Sequence, residues 1–144
     1  MTKILIVSSN IHKTLAAKQL EHCLNSVKKS HHEYQVDIAA VGTYEIPFII
    51  NSYHRNNPFD GYIALGLVLK KDKDHYDFIM SHIKECFTSF ALNHIPVGNG
   101  IVSGDSLDEL AEKIDSPDPC CSAYQSAFHA VDYLIELQQK LVCN

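Results

Sequence analysis

The apolar positions of this chain follow two rhythms that take turns along its length. Residues 4–8, Ile-Leu-Ile-Val-Ser, form a short run rich in β-branched residues that ends in small polar ones, the pattern of a strand buried on both faces. Leu15, Ala16, Leu20, Cys23, Leu24 and Val27 then recur at steps of three and four, so residues near 12–29 are expected to form an amphipathic helix ending before Ser30-His31-His32. Residues 34–41, YQVDIAAV, alternate well enough for a second strand, and Gly42-Thr43-Tyr44 breaks it. Glu45-Ile46-Pro47 opens a second helical stretch in which Pro47 suits the first turn, where its missing N–H costs nothing, and Asn56-Asn57-Pro58 closes it.

Residues 61–69, GYIALGLVL, are apolar on both faces and predict a central strand covered by helices on each side. Four charged residues, 70–73, follow at once. Ile79, Ile83, Cys86, Phe87, Phe90 and Ala91 have helical period over roughly 74–94, with Asp74 as the expected N-cap and Pro96 as the stop. Residues 97–102 predict a fourth strand with two glycines inside, followed by a helix capped by Asp105 or Ser106. The last helix, near 122–141, carries Ala123, Ala127, Phe128, Val131, Leu134, Ile135 and Leu141 on an arc wider than one core contact requires. Strands alternating with helices imply right-handed crossovers, hence an α/β three-layer sandwich: a four-stranded parallel sheet of flavodoxin-like topology with helices on both faces.

Size and composition narrow the function classes. The 144 residues suit a single domain, 1–144, able to bury roughly two thirds of the surface its unfolded form exposes. A net charge of -5 argues against a nucleic-acid partner, because neutralising phosphates needs a basic face. No apolar run is long enough to span a bilayer, and MTKILIVSSN turns polar too early for a secretory leader, so a cytoplasmic location is expected. Five scattered cysteines, Cys23, Cys86, Cys120, Cys121 and Cys143, resemble neither a disulfide framework nor a CxxC pair and read as reduced thiols, Cys120 and Cys121 as small buried residues at a helix start. His82 and Cys86, one helical turn apart, make half a metal site with no visible second half. Ser8-Ser9-Asn10 lacks a glycine-rich phosphate fingerprint, so a dinucleotide cofactor is not expected.

In parallel sheets of this kind ligands bind beyond the carboxyl ends of the strands, which directs attention to residues 8–12, 42–45, 67–75 and 98–104. His75, just past the central strand beside Asp74 and among Lys70, Lys71 and Lys73, is placed for proton transfer. Glu45 stands where a carboxylate could accept hydrogen bonds from a polyol or an amide, although an acidic residue at a helix start suits the helix dipole equally.

The blocks Gly42-Thr43-Tyr44-Glu45-Ile46-Pro47, Ala64-Leu65-Gly66-Leu67-Val68-Leu69 and His75-Tyr76-Asp77-Phe78, then Ile95-Pro96-Val97 with Gly100-Ile101-Val102 and the stretch 105–110 with Lys113, together resemble the lumazine synthase family. The resemblance extends over nearly the whole chain. It implies condensation of 5-amino-6-(D-ribitylamino)uracil with 3,4-dihydroxy-2-butanone 4-phosphate to 6,7-dimethyl-8-ribityllumazine and phosphate, without metal or organic cofactor. His75 corresponds to the family's proton-transfer histidine. Ser9, Asn10, Thr43, Tyr44, Glu45, Leu67, Val68, Leu69 and Asn99 fall at positions that meet the pyrimidine and ribityl chain, and Asp72, Lys73 and Lys113 at those that meet the phosphate. The chain departs from the family pattern where Ser9 and Asn99 stand for aromatic residues, Lys113 for an arginine, Asp72 and Lys73 for a small residue and a threonine, and where residues 116–121 replace a link bearing glycine and lysine. The family implies a homo-oligomer, a pentamer or a multiple of pentamers, with sites between subunits. Two other readings remain: a degenerate, non-catalytic homologue serving as an oligomeric scaffold, and a flavin- or nucleotide-binding module. A riboflavin synthase of related fold, acting on two lumazine molecules, is a further relative to separate by assay.

Overall fold

A computed structural model describes residues 1–116 and 123–143, with the side chains of 127–142 on the last helix. The linker cysteines Cys120 and Cys121 and most of the link 116–121 lie outside the described residues. Four strands, β1 (Lys3–Ser9), β2 (Glu33–Ala39), β3 (Gly61–Leu69) and β4 (Val97–Gly104), form one parallel sheet in the order β2-β1-β3-β4. Five α-helices connect and cover them: α1 (Lys13–Lys28), α2 (Ile46–Asn56), α3 (Lys73–Leu92), α4 (Leu107–Asp115) and α5 (Ala123–Cys143). The three-layer α/β architecture expected from the alternating rhythms is therefore the one observed.

The two continuous apolar runs become the two inner strands because only there are both faces of a strand covered. Ile4, Ile6, Ile63 and Leu65 meet Cys23, Val27, Ala127, Val131 and Ile135 on the α1/α5 face. Leu5, Val7, Tyr62 and Ala64 meet Ile46, Ile50, Phe59 and Phe90 on the α2/α3 face. Full burial of each large aliphatic side chain stabilises the fold by roughly 1.5–3 kcal/mol. A smaller cluster of Leu67, Val102, Leu110 and Ile114 seats α4 under the carboxyl end of the sheet. At the opposite pole buried His32 bonds Asp132 of α5 through Nε2, at 2.6 Å, and Thr2 through Nδ1, tying the N-terminus to the last helix.

Local chemistry shifts three expected boundaries. The N-cap of α3 is Asp72, whose carboxylate accepts from the backbone N–H of Asp74 and His75, so the helix starts at Lys73 and Asp74 lies inside its first turn. Residues 43–45 form a 3₁₀ turn before α2. Strand β4 continues to Gly104, and Ser106 rather than Asp105 caps α4, accepting from the N–H of Glu109 while Glu109 accepts from that of Asp105.

Candidate functional site

The chain order makes β1 the point where the winding reverses: β2 lies to one side of it, β3 and β4 to the other, and the crevice at such a switch is where open α/β sheets bind ligands. Here the crevice has a physical edge. Register pairs between β1 and β3 end at Ser8 with Leu65, whereas β3 continues for four more residues, so among the described residues Gly66–Leu69 have no strand beside them on the β1 side. Leu67 and Val68 bury their side chains, and this edge offers peptide groups to a ligand.

The 3₁₀ turn leans over that edge. Thr43 is buried and its hydroxyl donates to the carbonyl of Leu67 at 3.4 Å. The approach requires glycine at 66, because a Cβ there would stand 2.6 Å from the Thr43 hydroxyl oxygen. Glu45 is exposed at the end of the turn. Tyr44 stacks against two side chains of α3: His82, with centroids 3.9 Å apart and planes 21° apart, and Phe78, at 5.6 Å and 7°. Positions 75, 78 and 82 are spaced by three and seven, so the exposed His75 shares the helix face against which Tyr44 packs. The fold thus gathers Ser9, Asn10, Thr43, Tyr44, Glu45, Leu67, Val68, Leu69, Asp72, Lys73 and His75 at the carboxyl end of the sheet.

Several of these side chains are already engaged. Ser9 is buried and donates its hydroxyl to the carbonyl of Val41 at 2.6 Å, and the N–H of Asn10 bonds Ala39. Asp72 Oδ1 takes the Asp74 and His75 amides at 3.0 and 3.2 Å, the donors that the start of a helix would otherwise turn to an anion. Lys113 donates to the Ser103 carbonyl at 2.6 Å and pairs with Glu109 at 3.3 Å. The Asp105 N–H and then the Lys113 amine hold the Glu109 carboxyl below its ordinary range.

Asn99 is not brought to the others within one chain. It pairs with Ala64 on edge strand β4, five residues before Gly104, about 16 Å along the strand from the crevice end. Its Oδ1 accepts from the N–H of Ile101 at 2.9 Å on an exposed edge. Between α2 and α3 a groove of about 780 Å3 opens beside Tyr44 and Glu45 and runs past Phe48, His54, His82 and Cys86. In the sequence His82 stands out only for its spacing to Cys86, whose Sγ lies 3.7 Å from both ring nitrogens. In the fold its Nε2 donates to the carbonyl of Tyr44 at 3.1 Å. The helical step from His75 through Phe78 to His82 is the signal the sequence offers for this role, and it becomes readable only once Tyr44 lies across that face. Among the described residues no group of three His, Cys, Asp or Glu side chains is arranged to hold a metal ion, and no helix is long and apolar enough to cross a membrane.

Known proteins share this sequence pattern. A family model described as 6,7-dimethyl-8-ribityllumazine synthase matches residues 1–140. A protein of Jannaschia sp. (strain CCS1) named 6,7-dimethyl-8-ribityllumazine synthase is 29% identical over 116 residues, which cover 78% of this chain and 63% of that protein. The match therefore spans less than two thirds of the relative's length.

Proposed function

The chain belongs to the 6,7-dimethyl-8-ribityllumazine synthase family, and we propose that it catalyses condensation of 5-amino-6-(D-ribitylamino)uracil with 3,4-dihydroxy-2-butanone 4-phosphate, releasing phosphate, in riboflavin biosynthesis. The observation that carries this reading is the convergence of three elements at one crevice: the strand-free backbone edge of Leu67–Leu69, where the Leu67 carbonyl already accepts from Thr43, the turn bearing Tyr44 and Glu45, and the start of α3 bearing His75. Tyr44 offers a ring to the pyrimidine, the strand edge pairs with its amides, and Glu45 accepts from ribityl hydroxyls. The pyrimidine's amine attacks the ketone carbonyl and water leaves as the imine forms. Phosphate is then eliminated, and closure by the second amine releases another water. Each step moves a proton, and an exposed imidazole at 75 can both accept and donate one. Asp72, Lys73 and Lys113 are the groups proposed to meet the phosphate, with Asp72 releasing two amides as it binds.

The reading includes a homo-oligomer, a pentamer or a multiple of pentamers, acting as single 1–144 domains in the cytoplasm with small molecules as substrates. Two observations support assembly. Asn99 lies on the free edge of β4, remote from its own crevice and accessible to a neighbour's. The last helix exposes an apolar stripe, Leu137, Leu141 and Val142, the latter two 65% and 85% open.

The decisive assay follows formation of the fluorescent lumazine from both substrates, with the uncatalysed condensation subtracted and phosphate release recorded in parallel. Catalytic formation of both products is the expected result. A second reading, a non-catalytic homologue serving as scaffold or binder, is favoured by the inward-turned Ser9 hydroxyl and by the Asp72 carboxylate on the α3 amides, and product at the background rate alone would point to it.

A further inference from the structure

Among the residues proposed to meet the pyrimidine, Tyr44 alone carries an aromatic ring, and it stands in a three-residue turn. His82 holds it at two points. The imidazole lies against the phenol ring with centroids 3.9 Å apart, and the same imidazole donates from Nε2 to the backbone carbonyl of Tyr44 at 3.1 Å. The first contact limits where the ring can swing, and the second fixes the peptide from which it projects. Phe78, one turn earlier, lies nearly parallel to the ring and widens the support, while Tyr44 stays 37% exposed and so keeps surface for a ligand.

We propose that His82 is a positioning residue that preorders Tyr44 as the stacking surface for the pyrimidine substrate. The inference rests on the reading of Tyr44 given above. A ring ordered before binding does not have to be ordered by the ligand, so the gain is in affinity for the pyrimidine and not in the bond-making steps. The role proposed for His82 is exerted through Tyr44. Where Ser9 and Asn99 supply no ring, the order of the remaining one matters more.

The test uses the intact protein and four variants, Tyr44→Ala, His82→Ala, His82→Phe and His82→Gln. His82→Ala is expected to raise KM for the pyrimidine about three- to tenfold, the scale of immobilising one side chain, with kcat and KM for the butanone phosphate within about twofold. His82→Phe keeps the stack and His82→Gln keeps a donor, so each is expected to recover part of the loss. Fluorescence titration with the lumazine product gives the same comparison as dissociation constants, independently of turnover. If Tyr44→Ala weakens binding and all three His82 variants bind like the parent, the positioning role is overturned. If Tyr44→Ala itself binds like the parent, the stacking assignment fails first and takes this inference with it.

Discussion

A single ring or hydroxyl in this protein does what its immediate neighbours permit. His75 is exposed in the first turn of α3, with its backbone N–H taken by Asp72. His75→Ala is expected to slow lumazine formation by about 100-fold or more, the usual worth of a positioned acid–base group, with particle mass unchanged. Steady-state rates beside light scattering check both halves, and an unchanged rate removes the assignment. His94 is the one non-glycine residue with positive φ among those described, at 58°, where the N–H of His94 and Ile95 turn back to Ala91 and Phe90 to finish α3. A side chain in that left-handed conformation costs about 1 kcal/mol relative to glycine. His94→Gly is therefore expected to stabilise the fold by up to about 1 kcal/mol, read as a higher urea midpoint at constant slope.

At the scale of elements, close approach is governed by where Cβ atoms are missing. Strand β4 has glycine at 98 and 100 because α5 and β3 press against it. A Cβ on Gly98 would lie 2.1 Å from the carbonyl oxygen of Ala127, a backbone atom that cannot swing aside, and one on Gly100 would lie 2.7 Å from the carbonyl of Ala64. Gly98→Ala must push α5 off the sheet and is expected to cost about 3 kcal/mol, at the upper end of overpacking effects, visible as loss of urea resistance. Helices α1 and α4 are tied to each other by a different device. Asp115 at the end of α4 accepts from Lys18 at 2.6 Å and meets His22 at 3.1 Å, both on α1, and these bonds, that of Lys18 foremost, hold its carboxyl below the ordinary range.

Over the whole molecule these shifts set a stability profile with two failing ends. Glu109 and Asp115 titrate lower folded than unfolded, so their contribution is present above the unfolded carboxylate range of about pH 4 and disappears as the pH falls through the folded values. Burial pushes the Cys23 thiol up to about 12 from an ordinary 9.0, and Tyr53, bonded to Asp37, and Tyr62, buried, are raised as well. Groups with raised values contribute fully below their unfolded range and lose that contribution as the pH climbs through the folded one. Urea midpoints are therefore expected to be level near neutrality, to fall below about pH 4.5 and to fall again above about pH 9. At the same scale, the proposed assembly is expected to give at least a pentameric mass by light scattering at micromolar concentration, with the edge of β4 and the exposed apolar side chains of α5 as surfaces it can cover, and a monomeric mass would refute it.

The amino-acid order by itself determined the strands and helices, because burial on both faces, burial on one stripe and solvent exposure each leave a local period: the uninterrupted runs at 4–7 and 61–69 had no other use than inner strands. It also determined the neighbourhood of the crevice, since loops after parallel strands gather at one end whatever they contain. What the sequence could not decide was which polar group spends itself on which. Asp72 and Asp74 are equally good caps on paper, and the turn geometry chose Asp72. Ser9 and Lys113 are available donors in a string of letters but are bonded to Val41 and Ser103 in the fold. His82 has the spacing of half a metal site, and the 3₁₀ turn, a neighbour 38 positions away, gives it Tyr44 instead. Only tertiary structure could settle these, because hydrogen bonds and ring contacts depend on distances between residues far apart in the chain, and such distances leave no period behind.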